Sequence, residues 1–445
     1  MSSPANTTGA RMKESNRDVG LRRTVGTWGL TASLVNVVIG AGIFAVPAAL
    51  AGSIGPYAPL AFLICAIAIG SVAICWAEGG SRMPTSGGAY GYIQAAFGPL
   101  TGYVAGTMLW FSDVLACGGV AAALGDVTVS VLPAPWQGIA RAAVIVGIIG
   151  FMALVHIAGV SQGERLINAL TAAKLIPIVI FIIAGAGAIH GANFAAAVHP
   201  STAGLGRAVI LALFALTGME VPLSASGEIA RPSSTIPRAL AIAMVSVTLV
   251  YIAIQVVAQG ILGPALGHST VPLADAMARI SPTLRVVMLL GAGLSMLGWL
   301  SSDFLGSPRV LFAFARDGFL PGVLGRVHPE RHTPHVAIGC YAALAIGFAL
   351  TGTFAELAVL STLAVTVVYM LGCAAAWWLA RGGVALAGQP LNFRWLRAAV
   401  VTGITGMFIL MVLASRAEIV GLLTVIAISA AGYVLTARGR ARRSA

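Results

Sequence analysis

Four ionisable residues lie inside long apolar runs: Asp113, Lys174, Glu220 and Asp303. An ionisable group near the centre of a membrane helix costs about 2.5–3.5 kcal/mol on insertion scales, so each one needs a reason. Lys174 stands about eleven residues into its run, too deep for the ammonium to reach the surface by extension. Asp113 and Asp303 are acids that a cation would neutralise, and either can pair with Lys174. A second set of residues acts through the backbone. Gly40-Ala41-Gly42 followed by Pro47, and Thr217-Gly218 followed by Pro222, interrupt two apolar runs in the same way. Paired interruptions of this kind point to broken helices that form a transporter site, although glycine also serves to pack membrane helices closely.

The elements that would carry these residues follow from composition. Of 445 residues only 9% are charged and 58% are hydrophobic, and the mean hydropathy is +0.94. Soluble domains run near a quarter charged, so the composition indicates a polytopic membrane protein. It excludes a disordered chain, a nucleic-acid-binding domain and a disulfide scaffold. A crossing helix needs about 20 mostly apolar residues. Such runs lie at 26–51, 56–80, 99–131, 139–160, 163–189, 207–227, 237–262, 284–315, 335–353, 356–380, 396–415 and 418–437, giving 12 spans. With an inside N-terminus, 20 of the 26 basic residues fall on the inner side and five outside, the last being Lys174. That bias places both termini in the cytoplasm. The five cysteines are widely spaced in apolar runs, so neither metal nor redox chemistry is indicated. No cleavage site follows the first run, so no removable signal peptide is expected.

Four stretches then carry a family resemblance. They are Gly40-Ala41-Gly42-Ile43-Phe44 with Pro47, and Ala77-Glu78 through Pro84-Thr85-Ser86-Gly87-Gly88 to Phe97-Gly98-Pro99. The third is Phe214-Ala215-Leu216-Thr217-Gly218-Met219-Glu220 with Glu228, Pro232 and Ile236-Pro237-Arg238, and the fourth runs from Arg309 to Pro321 with Thr333-Pro334. Together, and in order, they resemble the amino acid–polyamine–organocation superfamily of secondary transporters. The resemblance implies an all-α integral membrane fold of 12 helices. Helices 1–5 (26–189) and 6–10 (207–380) would form leucine-transporter-like inverted repeats with helices 1 and 6 broken. Two additional helices (396–437) and cytoplasmic tails (1–25 and 438–445) complete it.

A free amino acid must be desolvated at the membrane midplane. A half-helix starting at Gly42 would aim free N–H groups and a positive dipole end at its carboxylate. Half-helices ending near Ile39 and Leu216 would aim carbonyls at its ammonium. The resemblance assigns the carboxylate to the amides of Ala41, Gly42 and Ile43, and the ammonium to the carbonyls of Val38, Ile39, Phe214 and Thr217. Phe214 matches an aromatic that covers substrate in relatives; packing is its other reading. Asp113 and Asp303 match side-chain-pocket positions that are not acidic in a compared relative. This implies either a cationic side chain in the substrate, such as that of lysine, ornithine or arginine, or a pairing with Lys174, for which Asp303 is the better placed. A lysine in the region of Lys174 takes the place of sodium in relatives, which implies proton coupling; a permanent salt bridge is the alternative. Glu220 matches an acid that holds helix 6 or carries protons. Glu78, Glu228, Arg238, Arg309 and Arg316 read as gate or loop ion pairs, and His156, His190 and His199 as packing or interfacial residues. Trp299 and Ser302 face the pocket if the helix 8 register holds.

The expected function is amino acid transport by alternating access as proton-coupled symport. The alternatives are an exchanger for cationic amino acids or polyamines and a transporter-like amino acid sensor. Residues for an enzyme are absent from the pattern. No cofactor, metal or nucleic acid is expected; the partners would be amino acid, protons and lipid. The chain would act in the cell (inner) membrane as a monomer or homodimer.

Overall fold

The computed structural model describes residues 24–40, 42–83, 88–130, 132–159, 174–195, 200–223, 229–316, 318–385 and 390–443. Among these residues the regular structure is helical, with no β-strand and an isolated bridge between Val25 and Ile229. The first apolar run forms α1 (Thr27–Val38) and α2 (Gly42–Ile54), and the second forms α3 (Ala58–Arg82). A short helix α4 (Gly88–Phe97) precedes α5 (Pro99–Val129) and α6 (Ala134–Ala158), followed by α7 (Lys174–Ala186). Next come α8 (Thr202–Leu216), the one-turn α9 (Glu220–Leu223), α10 (Pro232–Leu262) and the short α11 (Pro272–Ala278). α12 (Pro282–Gly306), α13 (Pro308–Arg316), α14 (His335–Thr351), α15 (Phe354–Arg381), α16 (Leu396–Val412) and α17 (Arg416–Arg443) complete the order.

Among the described residues, seven helical stretches are long and apolar enough to cross a membrane, and five shorter apolar helices accompany them. Their outer faces expose large aliphatic residues such as Leu154, Ile183 and Leu435, while Glu78, Lys174, Glu220 and Gln255 are buried inside. A soluble protein has the opposite distribution; this one matches a fold whose solvent is lipid.

Helix starts follow local chemistry. Proline occupies the first turn of α5, α10, α11 and α12, where its missing N–H costs nothing. Ser201 caps α8 by accepting the Gly204 N–H, and Thr353 with Glu356 forms a capping box on α15. Several boundaries differ from the sequence expectation, helices beginning five residues early at Ala134 and Thr202 among them, and two of the differences fall at prolines. The run 237–262 begins earlier, at Pro232, because Pro237 falls within the helix beyond a first turn already opened by Pro232. The run 284–315 is divided into α12 and α13, since Pro308 cannot supply the N–H that would continue the ladder.

The core lies where α2 crosses α8 and where α5 packs along α15, with α1 against α10. The segment after α15 is tied back to α3. Arg82 pairs with Glu78 at 2.7 Å and donates to Asn392 and to the Val384 carbonyl, while the Phe393 N–H donates to Glu78. Glu78 and Arg82 thus form a buried loop tie, one of the two roles expected of Glu78 from the sequence.

Candidate functional site

The two interruptions face each other at the centre of the bundle. α1 stops at Val38, whose carbonyl accepts the Gly40 N–H at 2.8 Å, and α2 starts at Gly42. Opposite, α8 stops at Leu216; Thr217 turns extended and its hydroxyl donates back to the Phe214 carbonyl at 2.7 Å. Gly218 then adopts φ 114°, a conformation open to glycine without strain. A Cβ on Gly42 would lie 3.1 Å from the Ala215 Cα, so the two broken segments cross in close contact.

Between them lies a cavity of about 200 Å³, below the ~300–1,000 Å³ typical of pockets for drug-sized ligands and suited to a small metabolite. Val38, Gly42, Phe214 and Thr217, four of the residues expected at the breaks, line it. Ile39 and Ile43 are buried outside its lining. Ala41, with Glu228 and His199, lies outside the described residues. The Val38 carbonyl also accepts the Tyr251 hydroxyl at 3.3 Å, and the Phe214 carbonyl also accepts the Thr217 N–H at 3.3 Å. Each of these two carbonyls therefore already has two donors, one for each lone pair. Phe214 stacks edge-on against Phe354, with ring centroids 5.6 Å apart. Trp299 and Ser302 both face the cavity, as the expected register of helix 8 required.

Asp113 from α5 and Asp303 from α12 form one wall and meet at a residue that sequence reasoning did not single out. Ser307 Oγ lies 2.8 Å from Asp113 Oδ2 and 2.8 Å from Asp303 Oδ1. Tyr341 of α14 donates its hydroxyl to the other Asp303 oxygen. Lys174 is elsewhere: it is buried, and its Nζ donates to the Asn36 carbonyl in the last turn of α1. No ion pair joins it to Asp113, Asp303 or Glu220 among the described residues. Glu220 opens α9 and accepts the Gly218 N–H at 3.3 Å and the Tyr369 hydroxyl of α15 at 2.9 Å. It braces the second break while lining the cavity. His156 is buried with Nε2 3.2 Å from Ser301 Oγ, a packing position outside the cavity lining.

Ser307 stands one helical turn after Asp303, a spacing visible in the sequence. Tyr341 and Tyr369 come from helices far away in the chain and leave no local signal. The contact at Gly42 gives a direct expectation. Gly42→Val places a branched side chain against the Ala215 backbone, an overpacking that costs about 1–3 kcal/mol. Uptake should fall at least tenfold and the melting temperature should drop; retained uptake would remove Gly42 from the site.

The sequence comparisons agree with this architecture. The model of the amino acid permease family matches residues 25–415. A methylthioribose transporter of Bacillus subtilis is 28% identical over 383 residues, covering 81% of this chain and 82% of that protein. A branched-chain amino acid permease of the same organism is 25% identical over 344 residues, covering 71% of this chain and 72% of the other. An uncharacterized transporter of Mycobacterium tuberculosis is 30% identical over 361 residues, covering 80% of each chain. These relatives are permeases and transporters, not enzymes. With its match across most of the chain, its long apolar helices and its interrupted pair at the centre, the protein is an integral membrane transporter of the amino acid permease family.

Proposed function

We propose that the chain is a secondary active transporter that moves amino acids across the cell membrane by alternating access, coupled to protons. The observation that carries this reading is the cavity of about 200 Å³ lying where two helix breaks face each other. The start of α2 supplies the amide of Gly42, which lines the cavity, for the carboxylate. Because the Val38 and Phe214 carbonyls are already engaged and Ile39 lies outside the lining, the ammonium falls chiefly to the carbonyl of Thr217. Phe214 covers the bound solute. The short apolar helices complete twelve crossings. Residues 26–189 and 207–380 act as inverted repeats, 396–437 as two added helices, and the tails 1–25 and 438–445 stay cytoplasmic.

A hydroxyl donates one hydrogen. Ser307 contacts two carboxyl oxygens at 2.8 Å each, so one of the two contacts draws its hydrogen from a carboxyl group. In this reading the Asp113–Ser307–Asp303 bridge holds one proton, and Lys174 links α7 to the end of α1 so that proton movement and break movement are coupled. The satisfied bridge and the apolar lining from Leu109, Ala116, Val120 and Val310 suit a neutral aliphatic side chain, the chemistry in the name of the branched-chain relative. The second reading is exchange of cationic amino acids or polyamines, favoured by the two carboxylates in the wall.

Thermal-shift measurements on the purified chain separate the two. At 100 times Kd a ligand stabilises by about 2.7 kcal/mol. Leucine, valine or alanine should raise the melting temperature while lysine, ornithine and putrescine do not; the reverse ranking selects the exchanger.

A further inference from the structure

The end of α15 and the start of α16 form a surface site outside the transport cavity. A groove of about 610 Å³ lies there, lined by Trp377, Arg381, Arg397, Val400 and Val401. Arg381 lies over the Trp377 ring at 5.8 Å, and Arg394 over the Trp395 ring at 5.7 Å. Arg381, Arg394 and Arg397 are exposed, and among the described residues none of them forms an ion pair. No acidic residue occurs in the sequence between Glu356 and Glu418. Glu78, the acid that touches this connection, is occupied by Arg82 and the Phe393 N–H.

This placement calls for an external anion. Arg397 sits in the first turn of α16, where a cation opposes the helix dipole and an anion is favoured. Arginine forks bind phosphate in bidentate fashion. Tryptophan favours the depth of the headgroups, and exposed Val401 continues the groove onto the lipid-facing side of α16. We infer that Arg381 and Arg397, framed by Trp377, bind the phosphate of an anionic phospholipid whose acyl chains lie along Val400 and Val401, with Arg394 adding positive charge from the connection just before α16. Basic pockets at helix ends are the ordinary setting for such headgroups. The inference stands apart from any choice of substrate or coupling.

The test is lipid titration of the full-length chain in a neutral detergent, followed by its melting temperature. Phosphatidylglycerol should stabilise it saturably, at a half-saturating concentration at least tenfold below that for phosphatidylcholine of the same chain length. R381Q/R397Q should abolish that difference. Arg397→Lys, which keeps the charge and loses the fork, should narrow it several-fold. Equal stabilisation of the wild type by the two lipids overturns the proposal without reference to any variant. So does a preference for phosphatidylglycerol that survives in R381Q/R397Q, or the full effect from inorganic phosphate alone.

Discussion

Asp303→Asn is expected to lower uptake into proteoliposomes about 100-fold while leaving the helices folded. The substitution preserves shape, so cavity formation does not contribute. With the bridge proton on Asp113, it removes the charge that receives both the Tyr341 and the Ser307 hydroxyls. Hydrogen bonds to charged groups contribute about 1.5–3 kcal/mol each. Losing the charge from two of them amounts to roughly 3 kcal/mol, or about two decades in rate. An amide also brings two hydrogens to a position where Tyr341 already donates, so one contact must reverse. Asp113→Asn touches a single described hydrogen bond and should cost closer to tenfold. The measurement is initial-rate uptake for both variants beside their melting curves. Equal and small effects would show that the bridge is structural.

Lys174→Ala carries the second large effect. Its ammonium is the contact between the start of α7 and the Asn36 carbonyl, one of the unsatisfied carbonyls at the end of α1. Without it, the first break loses its link to α7. Uptake should then lose its dependence on external pH and fall to a low rate, while substrate-induced stabilisation persists because Lys174 does not line the cavity. Lys174→Arg, which keeps a donor, should retain part of the rate. Uptake by Lys174→Ala with its full pH dependence would exclude Lys174 from coupling.

The parts of the structure legible in the sequence were those set by the backbone. Gly40, Gly42 and Gly218 announce interruptions through their own conformational rules, and the helices stop close to them, at Val38 and Leu216, whereas Pro47 and Pro222 fall inside α2 and α9. Pro308 was equally visible, yet the apolar run around it concealed the division between α12 and α13. Side-chain partnership was far less legible. Spacing cannot say that Asp303 meets Asp113 through Ser307 and not Lys174, because the choice depends on the rotation of α12 about its axis. Tyr341 and Tyr369 reach Asp303 and Glu220 across 38 and 149 residues of chain, a distance over which no period applies. The carbonyl of Val38 looked free for the same reason, its second donor coming from Tyr251, while that of Phe214 is taken locally by the Thr217 hydroxyl folding back on its own turn.

The most direct measurement is flux into proteoliposomes of the amino acid that most stabilises the purified chain, with and without an imposed inward proton gradient. Accumulation above equilibrium is expected when the gradient is present, with its collapse on adding a protonophore and its loss in Asp303→Asn. Tight binding with no flux under either condition would contradict transport itself and leave the cavity as a sensor.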